Sequence, residues 1–288
     1  MTIRPPLRFA LIPLACFVAS IAEADPSWHA PHAPFRIAGN TWYVGTEGVS
    51  VLLVRGEAGA VLIDTGTDAA QAVVLANLAT IGVDPDEIKL ILTSHAHQDH
   101  IGALEQWRMR TGARVLVSAE SGRLLSAGGR GDLHFGDTLP YPSVTIDDTL
   151  VDGETVTLGE LSFTAQLTPG HTPGSTTWTW IEREEDRDLA MVYADSLAAP
   201  GYDLIAHPRR PQLSEEFRAS FARLRELRCD VLITPHPQAS DLFARADRAT
   251  EPEALIDPQG CRRYADRAER TLERQIATQR AAREDREG

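Results

Sequence analysis

Three histidines and an aspartate fall within the seven-residue segment SHAHQDH, residues 94–100, which follows a short apolar run. Imidazole and carboxylate groups at such short spacing are typical ligands of metal ions. His95 and His97 are two residues apart, so in an extended chain both side chains leave on the same side. Asp99 and His100 follow where the chain turns into a helical pattern, which directs them elsewhere. The segment therefore predicts ligands for two adjacent metal ions.

Two further histidines lie in loops with a restricted backbone. His171 lies in TPGHTPGS, residues 168–175, and His236 lies in LITPHP, residues 232–237. Each loop follows an apolar run, and its prolines and glycines limit the conformations of the chain. Such a loop suits a residue that must be held in place, as a metal ligand must. A single histidine is more often a surface or core residue, but five histidines together with Asp99 at strand ends favour a metal site.

The donor atoms narrow the choice of metal. Imidazole and carboxylate without thiolate suit Zn²⁺, and three protein ligands for each ion leave coordination positions open, as a catalytic site requires. Two such ions can share a water molecule, lower its pKa toward neutrality and polarise a carbonyl group. We therefore predict a hydrolytic site with two Zn²⁺ ions. The remaining histidines are interpreted as surface or core residues: His29, His32, His134 and His207.

Short apolar runs predict strands, and helical patterns lie between some of them. The predicted strands cover residues 51–54, 60–63, 90–92, 114–117, 161–164, 176–181, 189–193 and 231–234. One helix is predicted after Asp68, with Asp68 as its N-cap and Gln71 completing a capping box. Others are predicted after Ser214 and through Tyr264 and Ile276. Because several strands read as buried on both faces, we predict an α/β fold in which helices cover the sheets.

The length and composition are typical of one large globular domain. The chain has 288 residues, of which 43% are hydrophobic and 24% are charged. No linker-like segment or internal repeat divides the sequence. We therefore predict a single catalytic domain over residues 25–288.

The first 24 residues differ in character from the rest of the chain. Arg4 and Arg8 precede an apolar run over residues 9–22, and AEA at residues 22–24 fits a signal-peptidase site. We predict a signal peptide over residues 1–24 and export to the periplasm. A stable membrane anchor fits less well, because the run is short and contains a proline.

Charge and cysteine content limit the partners further. The formal net charge of −13 argues against nucleic acid as a partner, because nucleic acid binds clusters of lysine and arginine.

Cys229 and Cys261 would remain after export, and thiols in an oxidising compartment tend to pair. We predict a disulfide bond between them. The alternative, that both cysteines bind zinc, lacks the short spacing that metal sites favour.

The histidine motifs together resemble those of a known family. The pattern His-x-His-x-Asp-His after a strand, then Gly-His-Thr-Pro-Gly, then a late histidine, is similar to the metallo-β-lactamase superfamily, whose fold is an αββα sandwich. Four further strings resemble class B β-lactamases of the third subclass. They are DLHFGD at residues 132–137, PGHTPGS at 169–175, YADSL at 193–197 and CDVLITPHP at 229–237.

The resemblance implies a role for each candidate residue. It implies that His95, His97 and His171 hold the first zinc, that Asp99, His100 and His236 hold the second, that Ser196 contacts the substrate and that Cys229 pairs with Cys261. It also implies hydrolysis of the β-lactam amide of penicillins, cephalosporins and carbapenems by a metal-bridged hydroxide, which Asp99 orients. Such an enzyme confers antibiotic resistance. We expect the protein to be a monomer. One departure is Leu197-Ala198, where the family commonly has Leu-Ser, so a hydroxyl that can contact the substrate carboxylate is missing.

Two other functions fit the metal motif. A thioester hydrolase or a lactonase of the same fold would use a metal-bridging aspartate, for which Asp195 is the candidate. An inactive zinc-binding protein of the periplasm is the other alternative.

Asp64, at the end of a predicted strand, is interpreted either as a residue that orients a ligand histidine or as a turn residue.

Overall fold

The computed structural model of the protein describes residues 25–248 and 252–287. The predicted signal peptide, residues 1–24, lies outside the described residues. Within them, two β-sheets pack face to face and helices cover both outer surfaces. None of the helices in this part of the chain is both long enough and apolar enough to cross a membrane.

The first sheet contains seven strands of the described chain. They are β1 (Phe35–Ala38), β2 (Thr41–Tyr43), β3 (Leu52–Gly56), β4 (Gly59–Ile63), β5 (Ile88–Leu92), β6 (Arg114–Ser118) and β7 (Asp148–Leu150). The strands follow one another in chain order, antiparallel from β1 to β4 and parallel from β4 to β7. Because parallel strands end at the same edge, the segments that follow β4, β5 and β6 meet there.

The second sheet contains five strands of the described chain. They are β8 (Thr155–Leu158), β9 (Leu161–Leu167), β10 (Thr176–Glu184), β11 (Arg187–Tyr193) and β12 (Val231–Ile233). Their order is β12-β11-β10-β9-β8, and only the β11/β12 pair is parallel. All eight predicted strands are confirmed, with small shifts at their ends. The prediction missed β1, β2, β7 and β8, which are too short to show a clear alternation.

The described chain also contains α-helices and short 3-10 helices. The α-helices are α1 (Gln71–Thr80), α2 (Gln98–Ile101), α3 (Leu104–Thr111), α4 (Ala119–Ser126), α5 (Leu213–Glu226), α6 (Leu242–Ala246) and α7 (Gly260–Glu287). Short 3-10 helices cover Pro26–Trp28, Pro85–Glu87, Pro237–Ser240 and Pro252–Leu255. The helices predicted after Ser214 and through Tyr264 are confirmed as α5 and α7.

The alternation of side chains along the strands separates the layers. Leu52 and Val54 of β3 point into the core between the sheets, where they share a cluster with Trp178 and Met191 of the second sheet. Leu53 points the other way and joins the core that α1, α3 and α4 cover. A third core lies between β11, β12 and helices α5 and α7. The predicted α/β class is therefore an αββα sandwich.

The predicted N-cap of α1 is wrong. Ala70 occupies the N-cap position, and its side chain makes no capping hydrogen bond. The Thr67 hydroxyl accepts a hydrogen bond from the Ala70 N–H at 3.1 Å, and the Asp68 carboxylate instead accepts one from Gln106 Nε2 at 2.6 Å. Gln106 on α3 thus binds the Asp68 carboxylate, which the sequence pattern had predicted to cap α1.

Cys229 and Cys261 form a disulfide bond, which confirms the predicted pairing. Both residues are buried in the third core. The bond joins residues that are 32 positions apart and ties the segment before β12 to the first turn of α7. It therefore restrains the helix that covers the second sheet.

Replacing both cysteines with serine is expected to lower the free energy of unfolding by about 3 to 4 kcal/mol, because the open chain regains the entropy of a loop of this length. Urea unfolding followed by circular dichroism would measure the change. Treating the original chain with a reductant under the same conditions is the control and should reproduce most of the loss. A loss below about 1 kcal/mol would contradict a stabilising role for the bond.

Candidate metal centre

The SHAHQDH segment lies at the edge of the first sheet where the parallel strands end. His95 and His97 follow β5, and His97 has an extended backbone with ψ of 150° at the N-cap of α2. Asp99 and His100 lie inside that short helix. The change of direction predicted from the sequence therefore occurs between His97 and Asp99, and it separates the two pairs of side chains.

His171 and His236 reach the same place from the second sheet. His171 lies in the loop between β9 and β10, and His236 follows β12. The glycine before His171 has φ of +145°, and a Cβ added there would lie 2.7 Å from the ring of Phe217 on α5. Only glycine fits this close approach, so α5 fixes the backbone that presents His171.

The structure brings His95, His97 and His171 together as a first group. Their ligand atoms all lie within 4.8 Å of one another. The imidazole centroids are 4.7 Å apart for His95 and His97, 4.7 Å for His95 and His171, and 4.8 Å for His97 and His171. All three residues are buried. This convergence is the geometry that a single metal ion needs.

Asp99, His100 and His236 form a second group beside the first. Asp99 Oδ2 lies 2.9 Å from His100 Nε2 and 3.3 Å from His236 Nε2. The ligand atoms of His95, Asp99 and His100 also lie within 4.8 Å of one another. All six predicted ligands therefore occupy one connected cluster, although their roles as ligands stay a prediction.

The outward-facing nitrogen of most of these histidines has a hydrogen-bond acceptor in the surrounding protein. Three Nδ1 atoms contact such an acceptor: His95 with Asp195 Oδ1 at 2.8 Å, His171 with Ala198 O at 2.8 Å and His236 with Gly48 O at 2.9 Å. A histidine that donates from Nδ1 keeps the lone pair of Nε2 free, which is the form that binds a metal. These contacts orient the three rings with Nε2 available to the cluster.

His97 and His100 each have one nitrogen near another carboxylate, although neither contact has the geometry of a hydrogen bond. His97 Nε2 lies 3.3 Å from Asp132 Oδ2, so His97 would offer Nδ1 to the first group. His100 Nδ1 lies 3.6 Å from Asp64 Oδ2, so His100 would offer Nε2. Every predicted histidine ligand thus has one nitrogen facing a protein acceptor and one facing the cluster.

Burial sets the protonation state of two histidines in the first group. It lowers the pKa of His95 and of His171 well below the ordinary imidazole value, because the charged form loses its hydration. Both rings are therefore neutral at physiological pH and can donate a lone pair. Burial would raise the pKa of Asp99, but the adjacent His100 and His236 hold it well below its usual range. Asp99 is therefore an ionised carboxylate.

Asp64 lies beside a predicted ligand, and its role in orienting that histidine stays a prediction. Its φ of 59° is in the left-handed region directly after β4, and its buried carboxylate lies 3.6 Å from His100 Nδ1. The carboxylate accepts hydrogen bonds from Ser94 N, Ser94 Oγ and Tyr193 Oη, each at 2.7 Å. Burial raises the pKa of Asp64 to about 6 despite these contacts. Asp64 thus connects the ends of β4, β5 and β11 beneath the cluster.

Several buried nitrogens of the cluster have no hydrogen-bond partner in the described part of the chain, among them His97 Nε2 and both nitrogens of His100. His95 Nε2, which faces the cluster, is another such atom. A buried polar atom without a partner costs on the order of 1 to 3 kcal/mol, and a metal ion would satisfy it. The imidazole and carboxylate donors suit Zn²⁺. The residues therefore fit a zinc site.

Ser196, the predicted substrate contact, lies beside the first group. Its side chain is 8% exposed, and its hydroxyl accepts a hydrogen bond from Ala198 N at 3.4 Å. The carbonyl of Ala198 is the acceptor for His171 Nδ1. The segment that departs from the family pattern therefore lies directly against a predicted ligand.

Sequence reasoning missed Trp28. Its indole stacks on the His236 imidazole with centroids 6.2 Å apart and an interplanar angle of 27°. Trp28 lies in the N-terminal 3-10 helix, far from His236 in the chain, so no local pattern connects the two. The ring places a flat apolar surface beside the second group.

Comparison with protein families and curated relatives points to hydrolases. The family model described as Metallo-beta-lactamase superfamily matches residues 44–236. A hydroxyacylglutathione hydrolase of Anaeromyxobacter dehalogenans is 31% identical over 182 residues, which are 62% of this chain and 58% of that protein. One from Methylobacterium nodulans is 34% identical over 94 residues, 33% of this chain and 29% of that protein. The chain thus spans less than two thirds of the length of these relatives.

Solved structures match over a larger share of the chain. MEM-A1, a subclass B3 metallo-beta-lactamase from a soil metagenome library, has a TM-score of 0.84 and 38% identity, covering 88% of this chain and 99% of that chain. BJP-1, a subclass B3 metallo-beta-lactamase of Bradyrhizobium japonicum, has a TM-score of 0.84 and 31% identity, covering 89% and 98%. The Rm3 metallo-beta-lactamase has a TM-score of 0.83 and 40% identity, covering 88% and 97%.

Proposed function

The chain belongs to the metallo-beta-lactamase superfamily, and from this premise we propose that it is a zinc-dependent β-lactamase. The observation that carries the proposal is the extent of the structural match. Subclass B3 enzymes correspond to this chain over 98% to 99% of their own length at 31% to 38% identity. The hydroxyacylglutathione hydrolases are matched by sequence alone, over 58% or less of their length. Those sequence matches leave much of each thioester hydrolase unmatched.

The contacts of Asp195 bear on the thioester hydrolase alternative. A thioester hydrolase of this fold would use Asp195 as a metal-bridging carboxylate. Here Asp195 Oδ1 accepts a hydrogen bond from His95 Nδ1, the nitrogen that faces away from the cluster. This contact suits Asp195 Oδ1 to orient His95, while Asp195 Oδ2 is buried and has no hydrogen-bond partner in the described part of the chain.

The proposed cofactor is a pair of zinc ions. His95, His97 and His171 would hold one ion, and Asp99, His100 and His236 would hold the other. When bound, zinc makes a water molecule acidic enough to supply hydroxide near neutral pH and polarises a carbonyl oxygen. Asp132, Asp64 and Asp195 would keep the ligand rings in their orientations.

Asp99 is the residue that we propose for proton handling. Its carboxylate is ionised, for the reasons given above, and its side chain is 13% exposed at the cluster. It can accept a hydrogen bond from the attacking water, orient the water toward the lactam carbonyl and take up its proton. The proton can then pass to the lactam nitrogen as the amide bond breaks.

Substrate recognition would rest on Ser196 and on the charge of the metals. A β-lactam antibiotic carries a carboxylate, and two Zn²⁺ ions would make the site positive within an acidic protein. The Ser196 hydroxyl can donate to that carboxylate. Ala198 offers a methyl group where the family commonly has a second hydroxyl, so we expect a higher KM than a Leu-Ser sequence would give.

A substrate panel tests the proposed function. We expect kcat/KM of about 10⁴ M⁻¹s⁻¹ or more for at least one penicillin, cephalosporin or carbapenem. S-lactoylglutathione and a homoserine lactone should react far more slowly. Faster turnover of the thioester or the lactone would contradict the proposal, and zinc binding without turnover of any substrate would favour an inactive binding protein.

The remaining proposals concern the cell. We propose that residues 1–24 direct export to the periplasm, that residues 25–288 form one monomeric catalytic domain and that the enzyme protects its host from antibiotics. Expression of the full chain in a susceptible Gram-negative bacterium should raise the minimal inhibitory concentration of a β-lactam. The same chain without residues 1–24 should protect much less, because the antibiotic acts in the periplasm. Equal protection by both would contradict the predicted export.

A further inference from the structure

Residues 127–142, part of the segment that connects α4 to β7, form a loop that contacts the metal motif at two points. Asp132 Oδ2 lies 3.3 Å from His97 Nε2. Tyr141 Oη donates a hydrogen bond to the carbonyl oxygen of Ala96 at 2.8 Å. Asp132 and Tyr141 therefore both rest against the segment that carries His95 and His97.

The direction of the Asp132 carboxylate depends on the backbone of this turn. Its Oδ1 accepts hydrogen bonds from the N–H groups of His134 at 2.7 Å and Phe135 at 2.6 Å. The backbone of Asp132 also pairs with that of Gly136. Oδ2 is thereby left facing His97. A change in the turn would therefore move the carboxylate away from the imidazole.

An arginine from another part of the chain clamps the turn from outside. Arg209 Nη1 donates to Gly131 O at 3.1 Å, and its Nη2 donates to Asp132 O at 2.5 Å and Leu133 O at 2.8 Å. Three successive carbonyl groups thus converge on one guanidinium. A planar, delocalised guanidinium suits such a fork of acceptors, whereas a lysine ammonium does not reproduce its geometry.

The segment that carries Arg209 is itself anchored. Arg210 pairs with Glu216 on α5, with Nε 3.0 Å from Oε2, and the Leu213 N–H donates to Arg210 O. Helix α5 also packs against the glycine before His171. Helix α5 therefore anchors both the segment that holds the Asp132 turn and the loop that carries His171.

We propose that Arg209 is a positioning residue for the first metal group, acting through the Asp132 turn on the His97 imidazole. Arg209 lies outside the cluster of ligands, so its effect passes through backbone contacts. The guanidinium holds the three carbonyls, the turn aims the Asp132 carboxylate, and the carboxylate keeps His97 Nδ1 toward the metal. This inference rests on the proposed metal centre, but its main readout is zinc affinity rather than hydrolysis.

Arg209→Ala is expected to weaken zinc binding at the first group by about 10-fold, the lower end of the effect of changing a residue that contacts a metal ligand. Competition with a chromogenic chelator would measure the affinity. Hydrogen exchange at the amides of His134 and Phe135 should become faster, because the turn that buries them loosens. Arg209→Lys should recover only part of both effects.

Arg123→Ala is the matched control. Arg123 and Arg209 line the same cavity, whose volume is about 430 Å³, so both variants remove one positive charge from it. Arg123 pairs with Glu120 on its own helix instead of the 127–142 loop. The cavity would also admit a guanidinium ion, and millimolar guanidinium should restore zinc affinity to Arg209→Ala but leave Arg123→Ala unchanged.

A double-mutant cycle separates positioning from general loss of structure. If Arg209 acts through Asp132, the variant that carries both Arg209→Ala and Asp132→Ala should bind zinc no more weakly than Asp132→Ala alone. Additive losses, an Arg209→Ala variant with unchanged affinity and exchange, or an equal effect of Arg123→Ala would each overturn the inference. Failure of the original chain to hydrolyse β-lactams, with zinc affinity still dependent on Arg209, would refute only the proposed function.

Discussion

Replacing Asp99 with asparagine is expected to lower kcat for β-lactam hydrolysis by about 10³-fold, within the range for loss of a positioned proton acceptor. The amide keeps the size of the carboxylate but cannot take a proton from water. The carboxylate is ionised in the native protein, because His100 and His236 hold its pKa well below the usual range against the effect of burial. Asparagine removes that charge. Steady-state kinetics on the most reactive antibiotic of the panel would measure the loss.

Metal content has to be measured beside the rate, because Asp99 is also a predicted ligand. Zinc per chain, determined by mass spectrometry, distinguishes a lost proton acceptor from a lost ion. The neighbouring Gln98 is exposed, so Gln98→Ala is the control and should keep both rate and zinc. Near-normal turnover by Asp99→Asn with full zinc content would contradict the proposed role of Asp99.

Removing the metal with a chelator is expected to lower hydrolysis by at least about 10³-fold, because acidification of the water and polarisation of the carbonyl are lost together. Far-UV circular dichroism should stay close to that of the untreated protein. The reason is that Nδ1 of His95, His171 and His236 is held by acceptors that do not depend on the metal. The melting temperature should nevertheless fall, since binding to the folded state alone adds stability.

Stepwise addition of Zn²⁺ then tests the number of ions. Two equivalents for each chain should restore full activity, in line with the two ligand groups. Mg²⁺ is the control and should restore none, because it prefers six oxygen ligands to imidazole nitrogen. Full recovery with one equivalent, or activity that survives complete removal of zinc, would contradict the two-zinc proposal.

Much of the fold follows from local patterns. The alternation in β3, with Leu52 and Val54 facing one core and Leu53 the other, arises from the two-residue period of a strand. The buried face of α5 follows in the same way from helical spacing. Strands of three or four residues, such as β2 and β7, contain too few side chains to establish a period. The N-cap of α1 could not be predicted, because Gln106 on another helix takes the Asp68 carboxylate.

The identity of the six candidate ligands was readable from the chain, because each lies at a strand end in a segment of distinctive composition. The SHAHQDH segment also predicts that its ligands divide between two metal ions. The reason is that the change from extended chain to helix between His97 and Asp99 depends on local sequence. Residue types and spacing were sufficient to predict zinc chemistry.

The surroundings of those ligands depend on contacts between distant parts of the chain. Asp132 faces His97, Asp195 faces His95 and Trp28 covers His236 only after both sheets have packed. Arg209 reaches the Asp132 turn from the segment before α5. No periodicity links such pairs, because the packing of the sheets and helices sets their separation in space. Sequence thus determined which groups could bind the metal, and tertiary structure decided which nitrogen each histidine presents and what holds it there.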